Sequence, residues 1–195
     1  MRDNESDDFL DFLNGPAVVV AKQLLGCVLV REHDGHVMRA KIVETEAYDA
    51  SDAASHSFKG PTPRTQVMFG PSGYAYVYFT YGMHYCMNIV TGKEGEGSAV
   101  LIRAVEPISG HEQFSKNRKG IIGPGVSNGP AKLCQAMGID KRLDSHDLRK
   151  GVLRLVRGER VDDSRVVTTT RIGISQSSEL PWRFYIKDNP YVSKK

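Results

Sequence analysis

Two strand-rich runs, each folded back at a tight turn, constrain the architecture of this chain most. The first run, CVLVREHDGHVMRAKIVETEAY, spans residues 27–48 and turns at Asp34-Gly35, a dipeptide typical of two-residue hairpins. The second run, YAYVYFTYGMHYCMNIV, spans residues 74–90 and turns at Tyr81-Gly82. Because the strands of a hairpin run antiparallel, the sequence predicts a mainly antiparallel sheet.

Helical segments lie between and beside further strands. The first helix is predicted within residues 12–26, with Asn14 as a cap, Pro16 in the first turn and Gly26 at the end. Strands in runs with helices beside them indicate an α+β fold. The remaining predicted helices cover residues 63–69, 110–120 and 128–139, and the remaining strands cover 98–107, 152–158, 165–174 and 182–188.

Length and charge set the domain count and limit the partners. We expect one domain over residues 15–195, preceded by a short acidic tail or helix over residues 1–14. Five acidic side chains and one arginine lie in the first 11 residues, so the rest carries 25 basic and 18 acidic side chains. That mild basicity permits a polyanionic partner such as nucleic acid without requiring one.

The sequence gives no sign of secretion or of a metal centre. It contains no run of about 18 apolar residues and no signal-peptide pattern, so we expect a cytoplasmic protein with no membrane span. The cysteines, at positions 27, 86 and 134, are too far apart for a CxxC motif, and buried free thiols are expected. His33 and His36 flank a turn, where solvated histidines are more common than a metal pair.

The motif VETEAY, at residues 43–48, is the first candidate site. Because strand side chains alternate, Glu44, Glu46 and Tyr48 share one face, and a long polar loop follows them. A partly buried carboxylate on such a face could act as a general base. A solvated edge strand would show the same pattern, so this motif alone leaves both interpretations open.

The second hairpin and the strand after it add further candidates. Tyr74, Tyr76 and Tyr78 share one strand face, which indicates either packing or an aromatic surface. Tyr81 lies at the turn, where a large aromatic side chain is free to insert into a stack of bases. Asn88 and Arg103 interrupt apolar runs: the asparagine requires a partner or a function there, and the arginine requires a carboxylate such as Glu46 or Glu44.

Taken together, these segments resemble the 3-methyladenine DNA glycosylases of the alkyladenine (methylpurine) type. The motifs that carry the resemblance occur in the same order from about residue 15 to the C-terminus: IVETEAY, AASHS, TPR, MFGPSGYAYVYFTYGMHYCMNIV, VLIRAVEP, GPAKLCQAMGI and RIGISQSSELPWRFYIKDNPYVS. The resemblance implies a single α+β domain with a mainly antiparallel, curved sheet and flanking helices. It also implies a monomer that acts on double-stranded DNA containing damaged purines, without a cofactor or metal.

The resemblance also assigns roles to individual residues. Glu46 matches the general base that activates water, and Arg103 matches the residue that helps to hold that water. Tyr81 matches the residue that intercalates and fills the gap left by the flipped base. The residues that match the pocket for that base are Tyr48, His56 and Tyr78, which contact it, and Asn88, which screens against the exocyclic amine of guanine.

The implied reaction is hydrolysis of the N-glycosidic bond of a damaged purine flipped out of duplex DNA. The lesions would include alkylated purines, with the neutral bases hypoxanthine and etheno-adenine as further candidates. The product would be an abasic site for base excision repair. Such an enzyme would be associated with the nucleoid when on DNA. Two other readings remain open: a carbohydrate glycosidase that uses Glu44 and Glu46, and a non-catalytic nucleic-acid-binding module with Tyr81 as a wedge.

Overall fold

The strand that carries the VETEAY motif lies at the centre of the sheet. In this computed structural model, which describes residues 7–80 and 82–194, it is the 13-residue strand β2. It pairs with β5 along one edge, and β1 and then β8 pair with successive parts of its other edge. The eight strands of the described residues are β1 Val28–His33, β2 His36–Tyr48, β3 Ala75–Thr80, β4 His84–Thr91, β5 Ser98–Ser109, β6 Leu153–Val156, β7 Val166–Thr169 and β8 Arg183–Ile186.

All recorded pairings in this sheet are antiparallel, as predicted. The strand order is β3-β4-β5-β2-β1-β6, with β8 joined to β2 and β7 joined to β8, and the sheet curls. Asp34 and Gly35 both have positive φ, as the tight turn between β1 and β2 requires. The α+β fold class predicted from the sequence is confirmed.

Three α-helices within the described residues pack against or beside this sheet: α1 Ala17–Gln23, α2 His111–Asn117 and α3 Pro130–Ala136. Val43 and Ala47 of β2 are fully buried in the main core, which also includes Val20 and Ala21 of α1. The buried Thr45 hydroxyl donates a hydrogen bond to the Ala21 carbonyl at 2.8 Å and so ties β2 to α1. Because β2 is central and buried, the solvated-edge interpretation of its glutamates is wrong.

Some element boundaries differ from the predictions. A 3-10 helix over Asp7–Asn14 precedes α1, and Pro16 rather than Asn14 is the N-cap of α1. Gly26 has φ +88°, and a Cβ atom there would lie 2.1 Å from the Glu159 carbonyl oxygen, so a close backbone approach requires glycine. The helix predicted within residues 63–69 is the 3-10 helix Gln66–Phe69.

The strand predicted over residues 165–174 is shorter in the structure. It ends at Thr169, because β8 offers partners only to residues 166–169. The residues that follow leave the sheet, and three of them, Ile172, Gly173 and Ile174, reach the cavity described below. No helix in the described part of the chain is long and apolar enough to cross a membrane.

Candidate active site

A cavity of about 440 Å³ opens beside the end of β2. Its walls come from β2, β3, β4 and β5, from the loop after β2, and from the connection between β7 and β8. Six of the predicted site residues line it: Glu46, Tyr48, His56, Tyr78, Asn88 and Arg103. The seventh, Tyr81, lies outside the described residues.

Glu46 is fully buried within the protein and accepts three hydrogen bonds. The Tyr48 hydroxyl donates to Oε2 at 2.9 Å, and Nη1 of Arg103 donates to the same oxygen at 3.2 Å. The backbone N–H of Ile172 donates to Oε1 at 2.8 Å. An N–H group and a guanidinium can only donate, so both carboxylate oxygens act as acceptors in a fixed orientation.

Arg103 bridges the two glutamates of the motif. Its Nε donates to Glu44 Oε1 at 3.2 Å while its Nη1 donates to Glu46. Burial lowers the pKa of Arg103, but the adjacent carboxylates of Glu46 and Glu44 raise it by more, so the net shift is upward. The predicted pairing of the buried arginine with these carboxylates is confirmed.

Glu44 shares a strand face with Glu46 but is held by other groups. Besides Arg103, it accepts hydrogen bonds from Arg183 Nε at 2.7 Å and from the hydroxyl and backbone N–H of Ser193 at 2.9 and 2.6 Å. It is fully buried and does not line the cavity. A reaction that uses Glu44 and Glu46 as a catalytic pair would need both beside the substrate, so this arrangement argues against the carbohydrate glycosidase reading.

Tyr48 presents its ring to the cavity and its hydroxyl to Glu46. Burial raises the pKa of Tyr48 well above its usual range, and the Glu46 carboxylate raises it further. The phenol therefore remains a hydrogen-bond donor throughout the physiological pH range. The guanidinium carbon of Arg171 lies over the Tyr48 ring, 4.6 Å from its centroid.

A cluster of aromatic rings from β3 and from the loop after β2 also lines the cavity. The rings of His56 and Tyr78 meet edge to face, with centroids 4.6 Å apart, and Tyr76 lies 5.3 Å from Tyr78. Nδ1 of His56 lies 2.9 Å from the Tyr76 hydroxyl. Although His56 is exposed overall, partial burial of its imidazole lowers its pKa, and the nearby Arg64 guanidinium lowers it further.

Asn88 lies on β4, and its side chain is buried against the same cavity. Asn88 is the β4 partner of Tyr76 in the β3–β4 register. In addition to this strand pairing, its side-chain Nδ2 donates to the Tyr76 carbonyl at 3.2 Å. This bond satisfies the polar group that the sequence placed in an apolar run, and it holds the amide at the cavity wall.

Sequence reasoning missed three contributors to the site. No sequence pattern marks the Ile172 amide, because any non-proline residue supplies an N–H group. Arg171 and Arg183 stand in predicted strands, where an arginine could equally face solvent, and only the structure shows that both are buried. Arg171 donates to the Ala47 carbonyl and Arg183 donates to the Glu44 carboxylate, and each pair is separated by more than 120 positions in the chain.

The structure also places the groups considered for metal binding. No cluster of three or more His, Cys, Asp or Glu side chains within residues 7–80 and 82–194 has the arrangement of a metal site. All three cysteines are buried free thiols, as predicted. Burial raises the pKa of the Cys27 thiol to about 12, and the Arg157 charge lowers it only in part.

Comparisons with known proteins identify the family. The family model for methylpurine-DNA glycosylase matches residues 11–190. A protein of Carboxydothermus hydrogenoformans is 54% identical over 179 residues, which cover 91% of this chain and 94% of that protein. Proteins of Desulfitobacterium hafniense and Methanoculleus marisnigri are each 46% identical, and the matches cover 95% and 94% of this chain and 97% of each relative.

All three relatives carry the provisional name 3-methyladenine DNA glycosylase. The family model spans most of the chain, and the cavity contains a buried carboxylate, a guanidinium and aromatic walls on residues within the matched range. The chain therefore belongs to the methylpurine-DNA glycosylase family and is a DNA-repair glycosylase that acts on damaged DNA.

Proposed function

We propose that this protein is a monofunctional glycosylase that flips a damaged purine out of duplex DNA and hydrolyses its N-glycosidic bond with a water molecule activated by Glu46. The observation that carries the proposal is the Glu46 carboxylate, which lines the cavity and is held as an acceptor by Tyr48, Arg103 and Ile172. Family membership and the names of the relatives support alkylated purines, 3-methyladenine among them, as substrates.

The chemistry requires one base and one good leaving group. As the bond from C1′ to the purine nitrogen breaks, the water oxygen bonds to C1′, and Glu46 takes a proton from that water. An alkylated purine is cationic and leaves with the bonding electrons as a neutral base. No lysine is among the described residues that line the cavity, which supports water rather than an amine as the nucleophile.

The aromatic walls support selectivity for damaged bases. Tyr48, Tyr78 and His56 line the cavity, and electron-rich ring faces favour a cationic base over a neutral one by about 1 kcal/mol or more. We assign Asn88 to screening: an amide held at the wall by the Tyr76 carbonyl would crowd the exocyclic amine of guanine. 7-Methylguanine keeps this amine, but its cationic ring is a far better leaving group than unmodified guanine, so it remains a substrate.

The β3–β4 turn is the part of the enzyme that would enter the duplex. Phe79 and Met83, which flank the turn, are 49% and 71% exposed. Tyr81 stands between them in the sequence, and we assign it to filling the gap that the flipped base leaves. As the family resemblance implies, we also propose that the protein acts as a monomer on double-stranded DNA.

Single-turnover excision tests this proposal. Duplexes that carry 7-methylguanine, hypoxanthine or etheno-adenine would be incubated with excess enzyme and then treated with hot alkali, which cleaves at abasic sites. We expect the wild type to excise at least the cationic 7-methylguanine and to produce strand breaks only after alkali. Glu46→Gln should lower the excision rate about 10²- to 10⁴-fold, the usual contribution of a general base.

The matched control is Glu112→Gln, which makes the same change at an exposed position of α2 and should excise at the wild-type rate. Strand cleavage without alkali would contradict the monofunctional mechanism. Equal binding of damaged and undamaged duplexes with no excision by the wild type would instead favour a non-catalytic binding module.

A further inference from the structure

Arg171 lies behind the active site and contacts several of its parts. Its side chain is buried, and it does not line the cavity. Its guanidinium lies over the ring of Tyr48, with 4.6 Å to the centroid, and over the ring of Trp182, with 5.2 Å to the centroid. Because Tyr48 lines the cavity and Arg171 does not, the guanidinium contacts the Tyr48 ring from outside the cavity lining.

The same guanidinium joins three separate segments through hydrogen bonds. Nη1 donates to the Ala47 carbonyl at 2.9 Å, at the end of β2, and to the carboxylate of Asp52 in the loop that leads to His56. Nη2 donates to the Ser177 carbonyl at 3.2 Å, in the connection between β7 and β8. One planar, five-donor group thus fixes the end of β2 and the two loops beside the cavity.

The backbone links Arg171 directly to Glu46. The N–H group that donates to Glu46 Oε1 at 2.8 Å belongs to Ile172, and the peptide bond between Arg171 and Ile172 is planar. The orientation of this N–H therefore follows from the position of Arg171. Tyr48, whose ring Arg171 covers, donates to the other oxygen of the same carboxylate at 2.9 Å.

We propose that Arg171 is a positioning residue for excision: it sets the orientation of the Ile172 amide and the Tyr48 ring, and through them it fixes the Glu46 carboxylate. This inference rests on the proposed function, because it assigns Glu46 as the base. Arg171 itself touches neither the base nor the water. It acts by placing two of the three donors that hold the reacting carboxylate.

Arg171→Lys is the informative substitution, because it keeps the charge and removes the fork. An ammonium group cannot serve the Ala47 carbonyl, the Asp52 carboxylate and the Ser177 carbonyl together while covering two rings. We expect the single-turnover rate for 7-methylguanine to fall by a factor on the order of 10–100, the effect of misplacing a catalytic group by a fraction of an ångström to an ångström. The Kd for the lesion duplex should change less than threefold.

A double substitution separates positioning from a merely structural role. In a Glu46→Gln background the base is already absent, so adding Arg171→Lys should lower the residual rate by less than a factor of two or three. If Arg171 only maintained the shape of the pocket, Arg171→Lys would have the same effect in both backgrounds. It would lower the rate and raise the Kd by the same factors in Glu46→Gln as in the wild type. Arg165→Lys, an exposed arginine beside β7, is the matched control and should retain the wild-type rate.

The outcomes distinguish this inference from the proposed function. Failure of the wild type to excise any lesion would refute the function itself. Excision by the wild type with an Arg171→Lys rate within threefold of it, at saturating enzyme, would refute only the positioning role. If Arg171→Lys fails to fold, Asp52→Asn is the second test. It removes the charge partner of the Arg171 guanidinium and so loosens its position, while Arg171 and Ile172 themselves stay unchanged. The positioning role then predicts a smaller but measurable loss of rate with unchanged Kd, and an unchanged rate would overturn it.

Discussion

Arg103→Met tests how much stability depends on the buried charge cluster. The substitution removes the cation between Glu44 and Glu46, both fully buried, and leaves a shorter, flexible apolar side chain. Breaking one partner of a buried ion pair costs about 3–5 kcal/mol. Glu44 keeps Arg183 and Ser193, and Glu46 keeps Tyr48 and Ile172, so we expect the lower end, about 3 kcal/mol.

Urea denaturation measures this loss. With a slope of about 2 kcal/mol per molar urea for a chain of this size, a loss of about 3 kcal/mol lowers the unfolding midpoint by about 1.5 M. The control is Arg154→Met at a partly exposed ion pair, where Nη1 lies 2.8 Å from Glu32 Oε1. Surface pairs contribute about 0–1 kcal/mol, so that midpoint should move by less than about 0.5 M.

The contrast separates burial from distance. The surface pair is shorter than either 3.2 Å contact of Arg103, so an argument from distance alone predicts the larger effect at Arg154. A loss at Arg154 equal to or larger than that at Arg103 would refute the reasoning from burial. So would an Arg103→Met midpoint within 0.5 M of the wild type.

Three further outcomes follow from the same geometry. Glu44→Gln should leave the excision rate well above that of Glu46→Gln, because Glu44 does not line the cavity; single-turnover assays that show the reverse order would exchange the two roles. The pKa of His56 is lower in the folded protein than in the unfolded chain. Between the folded pKa and about 6.5 the unfolded chain therefore binds more protons, so the free energy of unfolding should rise with pH across that interval. An NMR titration midpoint at or above 6.5 would contradict this. The three buried thiols should react with a disulfide reagent far more slowly in native protein than in denaturant, Cys27 included, and a fast native phase would show that one of them opens to solvent.

Much of the fold could be predicted from local patterns. The Asp34-Gly35 turn and the alternation in strands β2 to β5 identify antiparallel hairpins, because turn geometry and side-chain period are local properties. Helix boundaries were less accurate: the residues before α1 adopt a 3-10 helix, and Pro16 takes the cap position that Asn14 was predicted to occupy. Packing of the two phenylalanines in that segment against the main core outweighs the local capping preference.

The sequence by itself determined that Glu44, Glu46 and Tyr48 share a face, since strand geometry fixes that relation over five residues. The sequence also indicated that Arg103 is buried, because it stands in an otherwise apolar run, and that the second hairpin is rich in tyrosine. Only the tertiary structure decided that Glu46 faces the cavity and Glu44 does not. That choice depends on Arg183, Ser193 and Ile172, which lie between 126 and 149 positions away in the chain. Contacts at such separation follow from the curl and strand order of the whole sheet, which no local pattern specifies.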